Sequence, residues 1–215
     1  SLPGEGDITI EVDDTKATIK SGKSKFVLAS LPGEDFPYEE SDHTFTANVP
    51  AKHLDTLIGQ TAFAMAVQDA RHFLNGLHLC SQEGRIVSVC TDGHRLAKID
   101  SALPEKASGM PGVIVPRKTV SELRMIYETT EETVTISVSE TKIRFSNSTL
   151  SLTSKVVDGS FPDYDRVIPK NNVKRLVVDA SEFAKSVDRV ATVSSERARA
   201  VKLSLNKEKL VLSVN

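Results

Sequence analysis

The segment Thr91-Asp92-Gly93-His94-Arg95 sets a carboxylate two positions from an imidazole, and such a pair is the minimum equipment for general acid–base chemistry. Neighbours in a turn seldom aim a carboxylate at the next-but-one imidazole, however, and no serine or cysteine nucleophile can be assigned to this pair. A β-turn with glycine at its third position accounts for Asp-Gly without any chemistry. Hydrolysis through His94 is therefore the weakest of three readings, and the chain is not expected to be an enzyme. The five histidines, His43, His53, His72, His78 and His94, take no zinc-ligand spacing with one another or with Cys80 and Cys90. No metal is expected. A GxxxxGKS/T phosphate loop is missing from the sequence, so ATP hydrolysis is not encoded and no cofactor is expected.

The cationic residues are more informative. Arg117 and Arg124 lie seven positions apart with Lys118 beside the first, while Val120, Leu123 and Ile126 fall on another face of the same helical segment. Further on, Lys185 and Arg189 stand four apart, opposite Phe183, Val187 and Val190. Each segment predicts a helix with one core side and one cationic side. Solvated faces of this kind are common, so the pattern by itself permits contact with nucleic acid without requiring it.

The elements that carry these residues follow from periodicity. "DITIEV", "KATIKS" and "KFVLAS" alternate as strands do and form a three-strand meander. A strand "TFTANV" precedes "PAKHLDTLIGQTAFAMA", where Leu54, Leu57, Ile58 and Met65 keep helical spacing and Pro50 suits a first turn. A helix of about four turns is predicted there. Next come the hairpin "LNGLHLCSQEGRIVSVC" with its turn at Gln82 to Arg85, the strand "HRLAKID", the strand "VIV" and the helix "PRKTVSELRMIYE". A second meander follows, "ETVTISV", "TKIRFS" and "TLSLTSKV". Beyond it lie the strand "VKRLVV", a helix opened by the capping-box-like Asp179-Ala-Ser-Glu182, and the hairpin "VKLSLNKEKLVLSV".

This order repeats. Both meanders run into a loop around Phe-Pro, "GEDFPYEE" and "DGSFPDYDRVIPK", then a strand, then a helix. Phe36 and Phe161 are 125 positions apart, and Leu54 and Phe183 are 129 apart. The chain reads as a tandem repeat of a domain-sized unit, cut out of phase. Residues 1–43 are the end of one unit, 44–172 a whole one and 173–215 the start of a third. The whole unit is itself a pseudo-duplicate of one α–β motif, which predicts an α+β architecture of helices layered on antiparallel sheets. The partial units should leave core faces exposed, which predicts a natural protein extending in both directions.

At 215 residues and 39% hydrophobic content the chain can bury a substantial core. Charged residues make up 26% with a net charge of −2, so any binding to nucleic acid rests on local patches. Cys80 and Cys90 flank the hairpin turn at unequal distances and read as free thiols of a reducing compartment. No stretch approaches the roughly 20 apolar residues of a membrane span, and "SLPGEGDITIEV" has no signal-peptide pattern. A cytoplasmic protein with no membrane partner is expected.

Four segments, "QDARHFLNG", "TDGHRLA", "VPRKTVSEL" and "VDGSFPDYDRVIPKN", closely resemble the beta sliding clamp of bacterial DNA polymerase III, the processivity factor. The resemblance runs the length of the chain. It implies the DNA-clamp fold, with helices on one face of antiparallel sheets in tandem domains, and a homodimeric ring of two head-to-tail subunits threaded by duplex DNA. It implies partner proteins, the polymerase subunits and the clamp loader, engaged through short linear peptides. The implied DNA contacts are Gln68, His72, Phe73, Arg117, Lys118, Arg124, Lys185 and Arg189, with His72 and Phe73 standing where the family commonly has tyrosines. The implied peptide pocket lies between the second and third domains at Leu74, Thr91, Gly93, His94, Arg95, Leu96, Pro162, Arg166 and Val167. The implied subunit contact joins Phe26 and Leu28 to Thr192 and Val193. A peptide-binding scaffold without DNA encirclement is the alternative.

Overall fold

The computed structural model describes residues 6–13, 15–36, 42–103, 108–127, 133–193, 200–207 and 209–214, with the side chains of 124–127 excepted. The chain divides into two compact units, Ser1–Phe161 and Pro162–Asn215. Residues 37–41 of the first Phe-Pro loop lie outside the described residues.

Period-two alternation produces the first meander as expected: β1 (Thr9–Asp13), β2 (Lys16–Ser21) and β3 (Ser24–Ala29), antiparallel in that order. Its register aligns Ile10, Ile19 and Phe26, and beside them Val12, Ala17 and Leu28. Residues opposed in this way share one face of a sheet. That face is apolar and open, with Ile10 at 62%, Val12 at 70% and Leu28 at 52% exposure. On the other face Lys20 Nζ meets Glu11 Oε2 at 2.8 Å. β3 is an edge strand.

The remainder of the first unit is a doubled motif. One copy is β4 (Phe45–Pro50), α1 (Ala51–Gly59), β5 (Gly76–Gln82), β6 (Arg85–Thr91) and β7 (Leu96–Ala102). The other is β8 (Val113–Pro116), α2 (Arg117–Tyr127), β9 (Thr133–Val138), β10 (Lys142–Ser146) and β11 (Ser151–Lys155). The sheets run β7-β6-β5-β8 and β11-β10-β9-β4. The strand that leads into each helix thus pairs with the other copy's sheet, β4 on β9 and β8 on β5. Neither copy closes its sheet alone.

The exchange brings both helices onto one core. Leu54 and Leu57 of α1 and Val120 and Leu123 of α2 meet Leu77, Leu79, Ile136, Val138, Ile143 and Phe145 of the sheets, and α1 packs against α2. Burying a side chain of this size stabilises the fold by roughly 2 kcal/mol, so the shared core holds the exchanged strands in place.

Two elements depart from the sequence reading. The first helix is shorter than four turns: α1 stops at Gly59, and Ala62–Ala64 forms a separate 3-10 turn. Gln60 ends the helix, and the Thr61 hydroxyl donates to the Leu57 carbonyl at 2.7 Å, meeting an acceptor that a continuing helix would have used. Pro50 is the N-cap residue rather than the first helical one. Met65, placed on the helix by its spacing, is buried beyond it. The second departure is "VKRLVV": residues 173–178 are exposed and pair with no strand among the described residues. Alternation supplies a strand's faces, but only a neighbour's hydrogen bonds make it a strand.

The hairpin turn has Glu83 and Gly84 both at positive φ, 50° and 72°, as a two-residue type I′ turn requires. Cys80 lies opposite Val87, away from Cys90, and the two form no disulfide with each other. Thr61 Oγ1 and Ser88 Oγ are 2.8 Å apart in the core. The Thr61 proton goes to Leu57, so Ser88 is the donor. Burial pushes the neighbouring Cys90 thiol up to about 12. Iodoacetamide at pH 8 should therefore leave Cys90 unmodified in the folded chain and label it in urea, as read by peptide mass spectrometry. Labelling of native Cys90 at the rate of a free thiol would contradict this packing.

At the end of the first unit, Val157 N donates to Ile114 O at 2.8 Å, and the Phe161 ring stacks on His78 with centroids 4.7 Å apart. The second unit comprises the turn Tyr164–Arg166, α3 (Ala180–Ala191) and the hairpin β12 (Lys202–Leu205) and β13 (Leu210–Ser213). The expected cap is present, with the Asp179 carboxylate accepting from Glu182 N at 2.8 Å. Phe183, Val187 and Val190 are the more covered side of α3. Among the described residues no helix is long and apolar enough to cross a membrane.

Candidate functional site

The "TDGHR" segment is the turn from β6 to β7, and its own side chains build it. Thr91 Oγ1 donates to Arg95 O at 2.7 Å and accepts from Gly93 N at 3.1 Å. Asp92 Oδ1 accepts from His94 N and Arg95 N, both at 2.9 Å, and Oδ2 accepts from Arg95 Nε at 3.0 Å. These bonds, the Arg95 amide foremost and the His94 amide next, lower the Asp92 carboxyl to about 2. The carboxylate holds the turn, bonding to the His94 and Arg95 amides and to the Arg95 side chain.

Facing this turn is the loop from Val67 to Asn75. Asp69 and Asn75 clasp each other, Asp69 N to Asn75 Oδ1 at 2.9 Å and Asn75 Nδ2 to Asp69 O at 2.8 Å. Arg71 Nε and Nη2 fork onto the two Asp69 oxygens at 2.9 and 2.8 Å. With the Arg71 amide added, these bonds hold the Asp69 carboxyl well below the usual carboxylate range. Gln68 takes a positive φ of 55° within the loop, a conformation costly for a residue with a Cβ. The loop also leans on α2: Arg117 N donates to Asn75 O at 3.2 Å, and Arg117 Nη1 lies 3.3 Å from both the Met65 and Ala66 carbonyls.

That last contact revises the cationic face. Arg117 is solvent-facing, but its guanidinium donates to the protein's own backbone at the Met65 and Ala66 carbonyls. Lys118 is exposed and points from the same helix end. The Arg124 side chain lies outside the described residues. Gln68 and His72 are exposed and Phe73 is half-buried. On α3, Lys185 and Arg189 are exposed opposite the covered apolar side.

Of the residues assigned to a peptide pocket, Thr91, Gly93, His94 and Arg95 share the turn, and Leu96 follows on β7, half-buried. Leu74 has only 2% exposure, so it packs the loop from beneath. Pro162, Arg166 and Val167 belong to the second unit. Val167 is 69% exposed there and Arg166 Nε reaches Asp163 Oδ2 at 2.7 Å. Of the residues that the family resemblance implies at a subunit contact, Phe26 is 43% exposed, Leu28 lies on β3 at 52% and Val193 is 75% exposed, while the Thr192 hydroxyl donates to Asp188 O at 2.9 Å.

Two features escaped the sequence reading. Phe63 is 61% exposed, with the Arg95 guanidinium carbon 5.9 Å from its ring centre. It sits in the 3-10 turn that follows α1 and not on the helix the spacing predicted. Arg71, Asp69 and Asn75 form the clasp, and the spacing of acid and amide around "DARHFLN" was its only trace.

The family description "DNA polymerase III beta subunit, central domain" matches residues 48–163, and "DNA polymerase III beta subunit, C-terminal domain" matches residues 165–215. A beta sliding clamp of Caulobacter vibrioides is 45% identical over 220 residues, covering 99% of this chain. One from Pseudomonas putida is 39% identical over 216 residues, covering all of it. Among solved structures, a Pseudomonas aeruginosa sliding clamp bound to griselimycin superposes with a TM-score of 0.91 at 38% identity, covering 100% of this chain and 58% of that one. A Caulobacter crescentus beta subunit gives 0.89 at 44% identity, covering 100% and 59%. The chain spans 59% of the length of the curated relatives it matches.

Proposed function

Because the chain belongs to the DNA polymerase III beta subunit family, we propose that it is part of a sliding clamp, a non-enzymatic ring that encircles duplex DNA and tethers the replicative polymerase for processive synthesis. The observation that carries this reading is the doubled motif with exchanged strands, over which the family match runs without a break in order. A ring needs no tight grip on DNA, since topology prevents escape while loose phosphate contacts allow sliding. That reconciles a net charge of −2 with a DNA partner.

In this reading the protein is cytoplasmic, and a homodimer closes through Phe26 and Leu28 on the β3 edge against the α3 end at Thr192 and Val193. An unpaired strand edge flanked by open apolar side chains is suited to such an addition. Polymerase subunits and the clamp loader dock short peptides on the surface of Thr91, Gly93, His94, Arg95 and Leu96 above Leu74. A related clamp is bound to griselimycin, which supports a ligand site in this family.

The DNA contacts are Gln68, His72, Phe73, Lys118, Lys185 and Arg189, with Arg117 and Arg124 as further candidates. Without encirclement the 215-residue chain should bind duplex DNA weakly and without sequence preference. With Lys118, Lys185 and Arg189 on phosphates, log K should fall against log salt with a slope of about −3. Fluorescence anisotropy with two unrelated duplexes from 50 to 200 mM salt measures this, on the order of the range where the effect is large. Salt-insensitive or sequence-selective binding contradicts the DNA reading, and no binding to DNA beside intact peptide binding would favour the scaffold alternative.

A further inference from the structure

We infer that Arg71 is a positioning residue that locks the loop bearing Gln68, His72 and Phe73 to the β6–β7 turn, so that the placement of His94 and Arg95 depends on it. The inference rests on the reading that this turn receives partner peptides.

Arg71 reaches both segments with one side chain. Its fork holds the Asp69 carboxylate at 2.8 and 2.9 Å, and Nη2 also lies 3.4 Å from the Asp92 carbonyl. The turn leaves room for it: a Cβ on Gly93 would stand 3.0 Å from both Arg71 terminal nitrogens, and Gly93 has φ +85°. Glycine suits this position twice, through its positive φ and because a Cβ would press on the guanidinium where it now lies. A planar fork satisfies a carboxylate and a carbonyl together, which an ammonium on a flexible stem does not reproduce.

The Asp69 side of the bridge is clasped by Asn75, and Asn75 is bonded in turn to Arg117 at the start of α2. A rigid element therefore backs the loop. Through Arg71, the same rigidity extends to the turn, adding to its internal bonds and to the Arg95 contact with Phe63.

The test uses the 215-residue chain with Arg71→Ala and Arg71→Lys. The first readout is amide exchange at His94 and Arg95, whose N–H groups report the turn, with Val87 and Val89 of β6 as the check on folding. The second is anisotropy of a fluorescein-labelled peptide carrying adjacent Leu and Phe, in a double-mutant cycle with Arg95→Ala. Exchange at His94 and Arg95 should rise at least about tenfold in both variants with β6 unchanged, the size of effect expected when a local opening is eased by about 1.4 kcal/mol. Peptide affinity should fall severalfold, and the loss should largely vanish in the Arg95→Ala background. Parent-like exchange at these amides in either folded variant, or strictly additive losses, overturns the inference. If the parent chain binds no such peptide, the peptide reading of the turn fails, and the exchange measurement alone decides the role of Arg71.

Discussion

Leu96→Asp should weaken binding of a clamp-binding peptide by about a hundredfold or more. Leu96 opens β7 directly opposite Thr91, at the base of the turn, and is half-buried in the free chain. A carboxylate there can keep its water until an apolar ligand covers it, and covering it without a partner costs several kcal/mol. The cost therefore falls on the complex and not on the fold. Peptides of this kind are expected to bind the whole protein at micromolar strength, about −8 kcal/mol, and the 215-residue chain more weakly. Anisotropy titrations of parent and variant, with thermal melts to show equal stability, make the comparison. Unchanged affinity would place the peptide site elsewhere.

Gly76→Ala should destabilise the chain by about 3 kcal/mol, lowering Tm by roughly 6–12 °C. Gly76 opens β5 opposite Pro116 of β8, at the seam where one copy of the motif borrows a strand from the other. A Cβ there would stand 2.5 Å from Ile114 Cγ2 and 2.7 Å from the Val115 carbonyl oxygen. The side-chain contact can adjust, but the carbonyl belongs to the ladder and moves only if β8 moves. Gly59→Ala is the matched control. Its Cβ would meet nothing within 4 Å, and at the end of α1 alanine should be neutral or stabilising by up to about 1 kcal/mol. Scanning calorimetry on the two variants tests the contrast, and equal melting temperatures would mean that the β5–β8 seam is looser than these distances allow.

Local information carried most of the architecture. A strand's alternation is written in consecutive residues, so the meanders, the "NGLHLC" hairpin and the α2 pattern were legible in order. The Asp179 cap was legible because both partners lie within one turn of helix. The tandem repeat followed from the recurrence of these local signals, and the resemblance to the clamp family rested on four short segments in the right order. The turn chemistry of "TDGHR" also follows from its own residues, since the Asp92 carboxylate accepts from His94 and Arg95 within the same segment.

What required the tertiary structure is what depends on distant partners. Nothing in the pattern of "TFTANV" or "VIV" says that β4 closes on β9 and β8 on β5, because a strand's neighbour is selected by the shared core and not by its own alternation. The same dependence ended α1 at Gly59, where Thr61 and Ser88 meet across the core, and left residues 173–178 without a ladder. It also divided the cations. Arg117 and Lys118 are adjacent and look equivalent in sequence, yet only Arg117 has the Met65 and Ala66 carbonyls within reach. Arg71 has no local sequence signal for its role, and only folding brings the Asp92 carbonyl and the side of Gly93 that lacks a Cβ against its guanidinium. A charge's role is set by the donors and acceptors around it, and those come from wherever the chain returns.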